Sequence, residues 1–350
     1  MRGRGGMTLM LVAVGASILL TPAVAAAQKS EWAIKYEDLW GRAQEADGAG
    51  RWAEAVRYYT ELRIILPFEA MTCYRSAVCY AHLGRQDEAF ASLNEAVLFG
   101  WDDKEGIVAE EAFQSLRADP RFRKILDQVD AVRDEPILVY VPDTVDRTKP
   151  APLIVALHGR GENPHAHLSF WKDAADRLGA VVTAPRGVRK GHIGLLNTWD
   201  KPDIESTRDT SDIDAEASKT VVDEAIALAA EKCGIDERRI VLAGYSQGGA
   251  VALRLLVDDP HRYAGAFTMA TLYKSPGVDA WRKANETRKI RVRLLTGELD
   301  RLKRHSEKAK RELTEAGVEV TLISMPSVGH EPPADCVERQ VKGVRLILND

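Results

Sequence analysis

Cysteine is scarce, with four in 350 residues, which excludes a disulfide-dense scaffold. Cys73 and Cys79 stand six apart on one expected helix, roughly 9 Å along its axis and on different faces. Side chains so placed cannot easily bridge, and both read as small buried apolar residues. Cys233 and Cys336 can pair only if the fold brings them together. Histidine is also scarce, at eight, so few residues compete for a proton-transfer role. His165 and His167 are neighbours but lack a third ligand at a recognisable spacing. They read as surface loop histidines, and no metal or other cofactor is expected. An excess of one charge is missing too. A net charge of -4 and a pI near 6.1 leave no nucleic-acid footprint. The longest apolar stretch, Leu9 to Leu20, is short for a membrane span. Arg2 and Arg4 precede it, and Pro22 and Ala25-Ala26-Ala27 follow. That order reads as a signal peptide over residues 1–27, with Gln28 as the first mature residue. It implies export to the periplasm or beyond, without a stable membrane span once cleaved. No cysteine for a lipid anchor and no twin-arginine pair accompany it.

What is present lies mostly in one stretch. Residues 239–250 read Arg-Ile-Val-Leu-Ala-Gly-Tyr-Ser-Gln-Gly-Gly-Ala. An apolar run, Ile240 to Ala243, ends in Gly244-Tyr245-Ser246-Gln247-Gly248, and a helical pattern of Ala250, Leu253, Leu256 and Val257 follows at once. Strand, Gly-x-Ser-x-Gly and helix together form the context of a nucleophile elbow. The turn is too tight for side chains at its flanks, hence the glycines. It sets the serine oxygen at a helix N-terminus, where the dipole and free N–H groups favour developing negative charge.

A serine hydroxyl needs a base, and the base needs an orienting acid. Downstream, Ile290 to Gly297 reads as a strand, followed by Glu298-Leu299-Asp300. Val318 to Met325 reads as another, leading to Pro326-Ser327-Val328-Gly329-His330. Asp300 and His330 thus fall just past strand C-terminal ends, where open α/β sheets place their sites. His330 is the expected base and Asp300 the expected acid, with Glu298 its rival. Acyl transfer also needs oxyanion donors. One is the N–H of Gln247. The other is expected in His158-Gly159-Arg160-Gly161-Glu162-Asn163, the loop after strand Leu153–Leu157, with the Arg160 N–H first and Gly161 next.

Over residues 135 to 347 the chain resembles an α/β-hydrolase of the phospholipase/carboxylesterase type, which includes acyl-protein thioesterase-like enzymes. The matching pieces are Leu157-His158-Gly159-x-Gly161, Asn197-x-Trp199-Asp200, Gly244-Tyr245-Ser246-Gln247-Gly248-Gly249, the strand into Gly297-x-x-Asp300, and Gly329-His330. The resemblance implies a triad of Ser246, Asp300 and His330, the Gln247 backbone as oxyanion donor, no cofactor, and a small-molecule ester or thioester as substrate. His158, Gly159, Gly161 and Trp199 are expected to shape the substrate pocket. Arg160 departs from the pattern, because relatives often carry an apolar or small residue there. Its guanidinium is expected near the pocket mouth, favouring anionic substrates.

Residues 34 to 130 are helical and repetitive. Gly50 and Gly84 are 34 apart, as are Ala55 and Ala89. That period, with glycine at the turn and alanine at the crossing, matches tetratricopeptide repeats. Glu110 to Val129 is expected as a capping helix, with Phe113, Leu116, Phe122, Ile125 and Leu126 at helical spacing. Such a unit, over residues 28–133, either binds a peptide or protein partner or packs on the catalytic domain over 134–350. The second part reads as seven strands alternating with helices, a mostly parallel, doubly wound α/β sheet. The polar stretch Arg186–Ile213 is too long for a plain connection and is expected over the site. Two other readings stay open: a repeat-based interaction protein with an inactive hydrolase domain, and a serine peptidase or polysaccharide-side-chain esterase on the same fold.

Overall fold

The computed structural model describes residues 31–65, 70–190, 197–200, 213–330 and 332–349. The signal-peptide expectation, and residues 191–196 and 201–212 of the polar excursion, lie outside the described residues.

Four helices come first: α1 (Glu31–Gly48), α2 (Trp52–Ile65), α3 (Ala70–His82) and α4 (Gln86–Leu98). Gly50 and Gly84 take the left-handed conformation between them, at φ 71° and 72°, where a side chain is strained. Ala55 and Ala89 are fully buried, so the paired helices approach closely. A polar bolt ties the pairs together. Buried Asp47 accepts from the Tyr59 hydroxyl at 2.9 Å and from Arg75 Nε at 2.7 Å.

The expected capping helix is broken. α5 (Lys104–Ala109) and a 3₁₀ turn (Glu111–Ser115) precede α6 (Pro120–Asp134). The break falls where Pro120 cannot continue a helix from the preceding turn. Asp119 instead starts a new one, its carboxylate accepting from the Arg121 N–H at 2.8 Å. The apolar spacing was sound: Phe113, Leu116, Phe122 and Ile125 are buried with residues of α3 and α4.

The rest of the chain is β1 (Ile137–Tyr140), β2 (Ala151–Leu157), α7 (Pro164–Leu178), β3 (Val181–Pro185), β4 (Arg189–Lys190), β5 (Asn197–Thr198), α8 (Ala215–Lys232), β6 (Ile235–Tyr245), α9 (Gln247–Asp258), β7 (Gly265–Met269), α10 (Val278–Thr287), β8 (Arg291–Gly297), α11 (Lys303–Glu315), β9 (Glu319–Met325) and α12 (Cys336–Leu348). Seven strands form one sheet in the order β1-β3-β2-β6-β7-β8-β9. β1 runs antiparallel to β3 and every other pairing is parallel. β6 begins at Ile235, earlier than expected, and the small β4–β5 ribbon was not expected. Alternate strand residues face opposite layers. Leu153, Val155 and Leu157 belong to the core layer that also holds residues of α8, α9, α10 and α11, whereas Ile154 and Ala156 belong to the layer with residues of α7 and α12. Both faces are covered, which is why these strands read as continuous apolar runs.

The helical unit rests on the loop after β2. Asn163 Nδ2 donates to the Val97 carbonyl at 3.4 Å. Arg186, just past β3, donates to the carbonyls of Val132 and Arg133 at the end of α6, where a cation also opposes the helix dipole. All four cysteines are buried and none is in a disulfide, so Cys233 and Cys336 do not pair. Among the described residues no helix is long and apolar enough to cross a membrane.

Candidate active site

Strand β6 ends against α9 with one residue, Ser246, between them. Its φ of 50° and ψ of -112° lie outside the ordinary regions for a side-chain-bearing residue. The turn is locked on both sides: Ser246 N–H donates to the Met269 carbonyl at 2.9 Å, and the Ser246 carbonyl accepts from Leu272 at 3.0 Å. A Cβ on Gly244 would overlap the Gly248 carbonyl, and one on Gly248 would overlap that of Leu157. Only glycine fits either position, so the two glycines of the motif are steric requirements of this turn.

The chain brings Ser246, His330 and Asp300 into one row. Ser246 Oγ lies 3.1 Å from His330 Nε2, and His330 Nδ1 lies 2.9 Å from Asp300 Oδ1. The His330 and Asp300 side chains are 5% and 0% exposed. Asp300 Oδ1 also accepts from the Leu302 N–H at 2.8 Å, which aims the carboxylate. Glu298, the rival carboxylate, is exposed. The Tyr245 hydroxyl donates to the His330 carbonyl and fixes that loop from below. Tyr245 was not singled out from sequence.

Gln247 follows Ser246 at the start of α9 and Arg160 lies in the loop after β2; among the described residues no protein group accepts their backbone N–H. The Gln247 side chain has a role that sequence did not reveal. Its Oε1 accepts from the Trp199 N–H at 3.2 Å, and its Nε2 donates to Asp200 Oδ1 at 2.6 Å. Asp200 Oδ2 in turn accepts from Arg160 Nη2 at 2.6 Å and from Thr198 Oγ1 at 2.6 Å. Trp199 Nε1 donates to the His158 carbonyl at 2.9 Å. The three separate sequence segments therefore form one hydrogen-bonded web behind the serine.

Four expectations are corrected here. The Arg160 guanidinium is taken by Asp200, so its charge is largely matched and it is not a vacant anion site. Trp199 and His158 are fully buried; they support the loop from within and do not face an open pocket. Gly159 is buried and Gly161 half-buried, and Gly161 takes φ 85°, so the glycines shape the loop. His165 and His167 are not loop residues but lie on α7, with His167 only 4% exposed.

Burial sets the charge states. His158 is pushed down to about 4, so it is neutral. Its Nε2 accepts from the Gly187 N–H at 2.7 Å, which leaves the proton on Nδ1 to donate to the Gly159 carbonyl at 2.7 Å. His167 is pushed down to about 3 by burial, then by His158. Burial lifts Glu162 to about 7, although its carboxylate accepts the Gly159 N–H at 2.8 Å.

A mostly parallel sheet with a strained serine at one strand end, and an acid and a histidine beyond two others, defines an α/β-hydrolase. The phospholipase/carboxylesterase family model matches residues 144–345. The chain belongs to that family of carboxylic ester hydrolases. A protein of Nocardia uniformis subsp. tsuyamanensis named as a candidate esterase, NocK, is 28% identical over 186 residues, 52% of this chain and 46% of that one. The bifunctional acetylxylan esterase/xylanase XynS20E of Neocallimastix patriciarum is 32% identical over 115 residues, 32% of this chain and 14% of that one. The chain thus spans less than half the length of these curated relatives. Among solved structures, esterase PE8 is similar with a TM-score of 0.48 and 22% identity, over 61% of this chain and 97% of that one. An uncharacterized protein from Bacillus cereus ATCC 10987 has a TM-score of 0.48 and 19% identity, over 90% of this chain and 99% of that one.

Proposed function

We propose that this chain is an exported serine hydrolase that cleaves carboxylic esters or thioesters through an acyl-enzyme on Ser246. The observation that carries the reading is the continuous row from Ser246 Oγ through His330 to Asp300, at 3.1 and 2.9 Å. His330 Nε2 takes the serine proton as the oxygen attacks the ester carbonyl. Asp300 holds the Nδ1–H tautomer and stabilises the imidazolium. The N–H groups of Gln247 and Arg160 hold the oxyanion, each contributing roughly 3 kcal/mol to the transition state. The alcohol or thiol leaves with the proton from His330, which then activates a water to release the acid.

In this reading residues 1–27 direct export, 28–133 form a tetratricopeptide-like unit with its cap, and 134–350 form the catalytic domain. The contacts of Asn163 and Arg186 with the helical unit favour packing on the catalytic domain over partner capture. The test is to treat the full-length protein with a fluorophosphonate probe and to screen short-chain, long-chain and aromatic esters. Wild type is expected to label and to turn over at least one class, while Ser246→Ala does neither and keeps its fold. Labelling or turnover retained in Ser246→Ala would overturn the assignment.

A further inference from the structure

Two contacts of the helical unit with the sheet unit bear on one short segment, the loop His158–Asn163 that carries the oxyanion donor Arg160. The start of that loop stands against the serine turn. A Cβ on Gly159 would lie 2.9 Å from the Tyr245 ring, and one on Gly248 would lie 2.6 Å from the His158 carbonyl. The loop holds two glycines, Gly159 and Gly161, the second at φ 85°, so its backbone has little stiffness of its own. Yet an oxyanion donor acts only when its N–H is held within hydrogen-bond reach of the forming charge. A displacement of about 1 Å can cost roughly 10²-fold in rate.

At the exit of the loop, Asn163 is fully buried and uses both ends of its amide. Its Oδ1 accepts from the Ala166 N–H at 2.9 Å and caps α7. Its Nδ2 donates to the Val97 carbonyl at 3.4 Å, in the last turn of α4. The bend after α4 reaches the same place. Gly100 takes φ 111°, and a Cβ there would stand 3.5 Å from both the Gly161 carbonyl and Asn163 Nδ2.

At the entry the hold runs through one more residue. His158 Nε2 accepts from the Gly187 N–H at 2.7 Å. Gly187 has no slack, because a Cβ there would come within 2.7 Å of the Thr198 carbonyl. The residue before it, Arg186, is anchored on the helical unit. Its Nη1 donates to the Arg133 carbonyl at 2.7 Å, and its Nη2 donates to the carbonyls of Val132 and Glu135. These carbonyls stand at the end of α6, where a helix leaves its last acceptors without partners. A planar guanidinium shared among three of them fixes direction as well as distance.

We propose that the helical unit positions the oxyanion loop, holding its exit through Asn163 and its entry through Arg186. Each is a positioning residue that acts on the Arg160 N–H through the loop. The proposal rests on the ester-hydrolase reading, and it gives the helical unit a part in turnover that packing alone does not.

The test uses the full-length protein and p-nitrophenyl acetate, with the fluorophosphonate probe counting competent sites. Arg186→Met removes the donors to α6. Asn163→Ser keeps a cap for α7 and loses the reach to Val97. In both, kcat per labelled site is expected to fall roughly 10-fold or more while KM stays within about twofold of wild type, because a displaced donor weakens the transition state and not the bound ester. Arg186→Lys can still donate to the α6 carbonyls and is expected to recover most of the loss. Asp47→Ala disturbs the helical unit among α1, α2 and α3, away from both contacts, and is expected to keep its kcat per labelled site within a few-fold. A merely structural role would lower the number of labelled sites and leave kcat per site unchanged. That outcome in Arg186→Met and Asn163→Ser overturns the proposal, and so does a loss that Asp47→Ala reproduces in full. If Arg186→Met does not fold, Asn163→Ser decides alone. If wild type neither labels nor cleaves, the ester-hydrolase reading fails and the proposal with it. Labelling and cleavage by wild type, with both variants unchanged per site, removes the positioning role alone.

Discussion

The helical unit and the sheet unit are both held by glycines in turns and by a buried aspartate, but for different ends. Gly50 and Gly84 repeat one left-handed turn with no backbone pressing on them from outside; at Gly84 the space around a Cβ is open. Gly244 and Gly248 stand where neighbouring carbonyls leave no room at all. Asp47 satisfies Tyr59 and Arg75 and so joins helices. Asp300 satisfies His330 and so holds its ring against Ser246. The first unit spends its special residues on architecture. The second spends them on holding a strained serine in a fixed place.

The sharpest way to break this contrast is to remove each aspartate and read both activity and stability. Asp300→Asn is expected to cut kcat roughly 10⁴-fold, as wrong-tautomer variants of other triads do. Glu298→Gln, exposed beside it, is expected to stay within about threefold of wild type, since it touches no reacting group. Steady-state kinetics on any cleaved ester decides, and a reversed order would mean that the wrong carboxylate is named.

The glycines give the next largest effect. Gly248→Ala drives a methyl into the Leu157 and His158 carbonyls and is expected to cost about 3 kcal/mol or more. Gly84→Ala meets nothing and carries only the left-handed strain, about 1–2 kcal/mol. Urea unfolding of both variants compares them, and equal losses would remove the distinction between the two kinds of turn.

Asp47→Ala is expected to lower stability by about 2–3 kcal/mol, because Arg75 keeps its charge in a half-buried place without a partner. Its kcat is expected to stay within a few-fold of wild type. A loss of kcat comparable to that of Asp300→Asn would show that the helical unit takes part in the chemistry.

The smallest effect is a pH dependence at Glu162. Burial raises this group in the folded protein to about 7, from an ordinary value of 4.5. The protonated form then favours folding. That contribution is full below the unfolded value and is lost as pH rises through about 7. Glu162→Gln has no proton to lose. The melting temperature of Glu162→Gln minus that of wild type is expected to increase between pH 5 and pH 8, by a few degrees. A difference that is flat or falls over that range would mean that Glu162 ionises freely.

Much of this was legible because backbone geometry wrote it into the sequence. Strands buried on both faces read as the runs Leu153–Leu157 and Ile240–Ala243, and the serine turn demands its glycines. Asp300 and His330 were found because they follow strands at the sheet's C-terminal edge. What stayed hidden depends on contacts between distant segments. Nothing in the sequence says that Gln247 reaches Asp200, that Asp200 then takes the Arg160 guanidinium, or that His167 is buried beside Glu162. Spacing placed Trp199 over the site, whereas packing seals it against His158. The break at Pro120 is different, because Asp119-Pro120 is itself a helix-start signal that the apolar spacing outweighed.

The central claim is that Ser246 carries the acyl group. It is tested most directly by mixing the full-length protein with p-nitrophenyl acetate, quenching early, and analysing the peptide that bears Ser246 by mass spectrometry. The account predicts a burst of p-nitrophenol and one acetyl group on Ser246, absent from Ser246→Ala. Turnover of the ester with the acetyl group on another residue would contradict it.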